Sequence, residues 1–70
     1  MSTKILSDAA AEIFGMVCNW EFQTAHQLSQ EFVKTHEEVP EFVEIMANAE
    51  NIEDAGVIAQ DSIVAEFFGG

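Results

Sequence analysis

Residues 21–36, EFQTAHQLSQEFVKTH, decide the fold class. At roughly 100° per residue, Phe22, Ala25, Leu28, Ser29, Phe32 and Val33 share one arc of a helix. Gln23, Thr24, Gln27, Gln30, Glu31 and Lys34 share the other. No other segment of the chain separates apolar from polar so cleanly.

Upstream, residues 3–18 carry the same spacing. Ile5, Leu6, Ala9, Ala10, Ile13, Phe14, Met16 and Val17 lie opposite Lys4, Ser7, Asp8 and Glu12. Gly15 costs about 1 kcal/mol relative to Ala inside a helix, which predicts a bend or an early end there. Downstream, His36-Glu37-Glu38-Val39-Pro40 interrupts the pattern, because the residue before a proline is biased away from the helical region. A third helix is expected from Pro40, a favoured first helical residue, to about Ala49. It would bury Val39, Phe42, Val43 and Met46 at i, i+3, i+4 and i+7. A fourth is expected from Asn51, an N-cap residue with Asp54 three positions on, to Phe68, stopping at Gly69-Gly70. It carries two stripes: Ile52, Ala55, Ala59, Ile63 and Phe67 on one side, Val57, Val64 and Phe68 on another. Residues 62–68 have strand-like composition, but the helical pattern before them decides. The sequence therefore predicts an all-α protein, a small three- to four-helix bundle in a single domain spanning 1–70.

Composition excludes several classes. Two basic residues, Lys4 and Lys34, face 13 acidic ones in 70 residues, a net charge of −11. Binding nucleic acid directly by neutralising phosphates requires many more cations. Hydrophobic residues make up 49% of the chain and six are Phe, which no disordered acidic tail contains. Cys18 is alone, so no disulfide framework exists, and a single thiol fits a reducing, cytoplasmic interior. No apolar run approaches the roughly 20 residues that span a bilayer, and the first eight residues do not read as a signal peptide. Polybasic segments, which draw proteins to anionic membranes, are absent, so no membrane partner is expected.

The charge is also unevenly placed. Residues 1–36 hold four acids and both lysines, whereas 37–70 hold nine acids and no base. Glu37, Glu41 and Glu44, at i, i+4 and i+7, are expected on one face of the third helix, with Glu38, Glu50, Glu53 and Asp54 adding to the same half. Like charges one turn apart cost a helix a few tenths of a kcal/mol per pair. A solvated, solubilising face would explain them. So would phosphate mimicry: carboxylates about 5.4 Å apart imitate a nucleic-acid backbone and fit a basic groove. The apolar stripe of Val57, Val64 and Phe68, with Trp20, exceeds what one small core needs, and its exposure predicts an interface with a partner or a second copy.

No cofactor or metal site is legible. His26, His36 and Cys18 lack paired ligand spacing, and no calcium-loop pattern can be laid on residues 37–66. His36 is expected at a helix C-terminus, where the dipole favours a cation. Catalysis finds no support either. Thr24 and Ser29 near His26 are common coincidences in a helix, and a carboxylate dyad needs a concave site. The expected protein is not an enzyme.

Two short segments resemble known families. Asp61-Ser62-Ile63 resembles the Asp-Ser-Leu at which acyl carrier proteins take phosphopantetheine, although there the Ser opens a long helix and here it falls inside one. Gly69-Gly70 resembles the end of double-glycine leader peptides, which are helical and acidic, but no cargo follows. It is also the end of ubiquitin-like and sulfur-carrier proteins, whose folds are β-rich. As a helix C-cap the pair needs no such role. The leading expectation is a non-enzymatic acidic protein that inhibits or modulates a basic, nucleic-acid-handling protein, of the kind carried by mobile elements or phages. The alternative is a carrier or leader-type module processed at Ser62 or Gly69-Gly70.

Overall fold

Ser7, with extended backbone (φ −64°, ψ 162°), accepts a hydrogen bond from the Ala10 N–H at 3.3 Å and so starts the first helix, α1, Asp8–Cys18. The computed structural model of the chain describes residues 7–69, so the expected positions Lys4, Ile5 and Leu6 lie outside the described residues. Gly15 does not end α1, which continues to Cys18. The second helix, α2, runs Phe22–Thr35, one residue shorter at each end than its pattern.

The third helix, α3, is Glu41–Ala47, shorter than expected at both ends. Pro40 is its N-cap and not its first helical residue, since its ψ of 150° is extended. Asn48 closes the other end with its N–H on the Glu44 carbonyl at 3.0 Å, leaving Ala49 outside. The fourth helix, α4, is Ile52–Ile63, capped by Asn51, whose Oδ1 accepts from the Asp54 N–H at 3.0 Å. Beyond Ile63 the expected α-helix widens into a π-helical turn, Val64–Phe68. Among the described residues there is no strand.

The core draws on all four helices: Ile13 and Val17 from α1, Phe22, Ala25 and Phe32 from α2, Phe42, Val43 and Met46 from α3, Ala59 and Ile63 from α4. Phe14, Phe42 and Phe67 form a triangle of edge-on rings with centroids 5.4–6.2 Å apart. The π turn supplies the third corner. Its i→i+5 winding advances less per residue than an α-helix, and within it Phe67 meets Phe14 and Phe42. Two side chains cross-link helix ends. His26 Nδ1–H donates to the Met46 carbonyl at 2.6 Å, and Gln60 Nε2 donates to the Val17 carbonyl at 3.0 Å. Each adds a side-chain donor to a carbonyl in the last turn of another helix, where the i→i+4 ladder runs out.

A close approach joins α2 to α4. Gly56 is buried, and a Cβ placed on it would fall on the Phe22 ring. Gly15, by contrast, would present a Cβ to open space. Gly56→Ala should therefore destabilise by about 1–3 kcal/mol through overpacking, and Gly15→Ala should stabilise by about 0.5–1 kcal/mol, read as urea midpoints. Ser29 and Ser62 are buried with hydroxyls that meet no hydrogen-bond partner. Ser29→Ala removes a desolvated hydroxyl at no cost in helix propensity, so its midpoint should rise by an amount equivalent to about 1 kcal/mol.

Candidate functional site

Three structural consequences define the surface. The first is the acidic half. Glu37, Glu38, Glu41, Glu44, Glu50, Glu53 and Asp54 are all exposed. Glu37, Glu41 and Glu44 do not share one helix face as expected, because Glu37 lies with Glu38 in the bent linker before Pro40 and only Glu41 and Glu44 belong to α3. The linker instead folds beside the end of α2 and the π turn. There Glu37, Glu38 and Glu66 rim a depression of about 580 Å³ floored by Ala10, Phe32, Val39 and Phe67. Glu41 and Glu44 line a shallow groove with Val39, Ile45 and Asn48, which continues into one formed by Ile45, Ala49, Glu50, Asp54 and Ile58. The acidic face thus has an apolar seam, Ile45 and Ile58, that the acid pattern did not disclose. Ile58 belongs to neither apolar stripe of the fourth helix, and this is the signal that was missed.

The second is the apolar stripe. Its four expected residues are exposed: Trp20 by 67%, Val57 by 46%, Val64 by 55% and Phe68 by 70%; Ile58 joins them at 54%. Val57, Val64 and Phe68 emerge on one side of α4 and its π extension. Trp20 approaches that side indirectly, with its ring centroid 5.3 Å from Phe22, which in turn covers Gly56. Gln60, reaching back to Val17, borders the stripe on the same side. Asp54 and Asp61 border it on the other, within about 60° of Val57.

The third is the backbone that carries Trp20. After Cys18, the Trp20 N–H bonds the Val17 carbonyl at 3.2 Å and the Glu21 N–H bonds that of Met16 at 2.8 Å. This double closure puts its penultimate residue in the left-handed region, where glycine is usual. Trp20 occupies it at φ 64°. Bulky residues pay for that conformation because Cβ crowds the following carbonyl.

The remaining candidates find ordinary roles. His36 caps α2 and stacks flat on Phe32, centroids 3.9 Å apart, with its Nδ1 2.8 Å from the Thr35 hydroxyl. Cys18 is exposed at the end of α1. Among the described residues no group of three or more His, Cys, Asp or Glu could hold a metal ion, and no helix is long and apolar enough to cross a membrane. Ser62, the carrier-type candidate, is buried inside α4, so a modifying enzyme would have to open the helix to reach it. Gly69 is an exposed C-cap at φ −86°, and a Cβ there would meet the Ala65 carbonyl at 2.8 Å, so space alone accounts for the glycine. Gly70 lies outside the described residues.

The strain at Trp20 can be measured. Trp20→Gly and Trp20→Ala both remove the ring contact with Phe22, but only glycine relieves the left-handed backbone. The glycine variant should be more stable than the alanine variant by about 1 kcal/mol in urea denaturation. Equal midpoints would show that the turn carries no such cost.

Comparison of the chain with protein-family models, curated proteins and solved structures finds no match.

Proposed function

We propose that the protein is a non-enzymatic, cytoplasmic binding module that inhibits or modulates a basic, nucleic-acid-handling protein by occupying its phosphate-binding groove. The observation that carries this reading is the run of seven exposed carboxylates between Glu37 and Asp54, with no Lys or Arg among residues 37–70. A face arranged only for solubility gains from interspersed cations, which relieve repulsion at no cost in hydration. This one keeps the repulsion. Glu41 and Glu44 follow helical spacing, while Glu37 and Glu38 sit in the bent linker before Pro40, so the face presents a line of charge that turns there. Ile45 and Ile58 along that line add apolar contact, which gives a complementary groove a means of distinguishing the protein from any polyanion. Self-association is the weaker reading of the apolar stripe, since it would bring two acid-rich surfaces together.

Binding of this kind weakens steeply with salt, because the Debye length falls from about 10 Å at 0.1 M to about 3 Å at 1 M. Immobilised protein should retain basic proteins from a lysate of its own cell at 0.1 M salt and release them at 1 M, and added duplex DNA should compete for them. Replacing Glu37, Glu41 and Glu44 together by Gln should lower retention mainly through slower association, with folding held or slightly improved. Asp8→Asn with Glu12→Gln, on α1, is the control. Equal losses from both sets would reduce the effect to bulk charge, and no loss from the triple variant would defeat the mimic.

A further inference from the structure

The side of α4 that faces away from the core is a second docking surface, and we infer that it receives an amphipathic α-helix from a partner, with Lys or Arg along one flank of that helix's apolar face. This inference goes beyond the acidic face and holds whether or not that face mimics phosphate. Val57, Val64 and Phe68 recur at i, i+7 and i+11 with Asp61 at i+4. All four are exposed. From Val57 to Val64 that is the spacing of a helix–helix seam, about 10 Å long, which the π turn carries on to Phe68, and another helix is the shape that fills it along its length. Beside the Val57 end of the seam, packed on the Phe22 ring that covers Gly56, Trp20 has a left-handed backbone that a glycine would adopt freely. A large exposed aromatic at a position that disfavours it is the pattern of a retained anchor.

Charge identifies the occupant. Asp54 and Asp61 run along the edge opposite Trp20, and residues 52–68 also carry Glu53 and Glu66 with no Lys, Arg or His. A second copy of the chain would cover this seam with carboxylates facing carboxylates or apolar groups. Lys34, the only lysine among the described residues, is on α2. Cations facing Asp54 and Asp61 would close the seam, and residues 52–68 carry none, so a partner helix that brings Lys or Arg complements it.

Trp20 is the sole tryptophan, so its emission reports on the surface beside Phe22 and Gly56, next to the seam. The probe is a synthetic peptide of about 18 residues, long enough to hold helix, with Leu at seam positions and Lys beside them. Two further peptides carry the same composition scrambled and the same pattern with Glu for Lys. The patterned Leu/Lys peptide should bind one to one by calorimetry and shift Trp20 emission to the blue; neither of the others should do so. Val64→Ser with Phe68→Ser, both at exposed positions, should weaken binding about tenfold with the circular dichroism unchanged. Trp20→Gly should weaken it similarly without loss of stability, and Asp61→Asn should weaken it several-fold. The Glu37, Glu41 and Glu44 triple Gln variant should bind the peptide nearly as tightly as the parent, which separates this surface from the acidic face. Equal binding of the scrambled peptide, or full binding by the double serine variant, overturns the proposal. So does sedimentation of the protein alone as a dimer that the double serine variant disperses, which would make a second copy the occupant. A matching blue shift with phosphatidylcholine vesicles would assign the seam to lipid and overturn it as well.

Discussion

Phe22 lies flat against the bare backbone of Gly56, and most of the molecule's arrangement follows from that contact. A chain this short has few large side chains to spend on each helix pair, so it brings α2 and α4 together by removing one side chain altogether. The ring fills the space a Cβ would take, and dispersion over that close contact replaces the missing methyl group. With Gly56 turned inward, helical geometry turns Val57 outward. The same ring supports Trp20 at the surface, and Gln60 one turn later ties α4 to the end of α1. One close approach therefore sets both the depth of the core and the identity of the residues left outside it.

The other end of α4 solves a different problem. Phe67 and Phe68 are adjacent, yet one closes the aromatic triangle with Phe14 and Phe42 while the other is the most exposed large apolar side chain described. Phe67 reaches those rings from within the π turn, where i→i+5 winding replaces the α pattern. Phe68 remains outside as a consequence, in line with Val64.

Much of this was legible in the sequence, and the parts that were not have a common cause. The period of residues 21–36 gave α2 to within one residue at each end, Asn51 gave the cap of α4, and the outward stripe of Val57, Val64 and Phe68 was readable because periodicity depends only on the chain's own geometry. Pro40 was readable as a break but misplaced by one position, since proline is compatible with both the cap and the first turn. Gly56, the π turn and the left-handed Trp20 depend on what lies opposite in space. Nothing local to Gly56 announces Phe22, and nothing around Trp20 announces a turn that would prefer glycine. Ile58 was missed because it belongs to neither stripe; it lies in the groove where α3 and α4 meet. The seven carboxylates were identified as exposed, but their arrangement was not, because the linker geometry before Pro40 is set by packing beside α2.

The distribution of charge couples folding to binding. Nine acids in residues 37–70 repel one another in a fold only 16 Å across in its thinnest dimension, so part of the stability gained by core packing is spent holding them together. A cationic partner on either surface removes that repulsion, and whatever binds only the folded chain stabilises it by mass action. Asp54 is shared by the two surfaces, since it lines the groove containing Ile58 and also borders the seam of α4. Cations placed along one surface therefore lower the potential at the other. The two surfaces compete for the same carboxylate at their boundary, while a single basic partner broad enough to span α3 and α4 would meet both an acidic groove and an apolar seam on contiguous sides of one short helix.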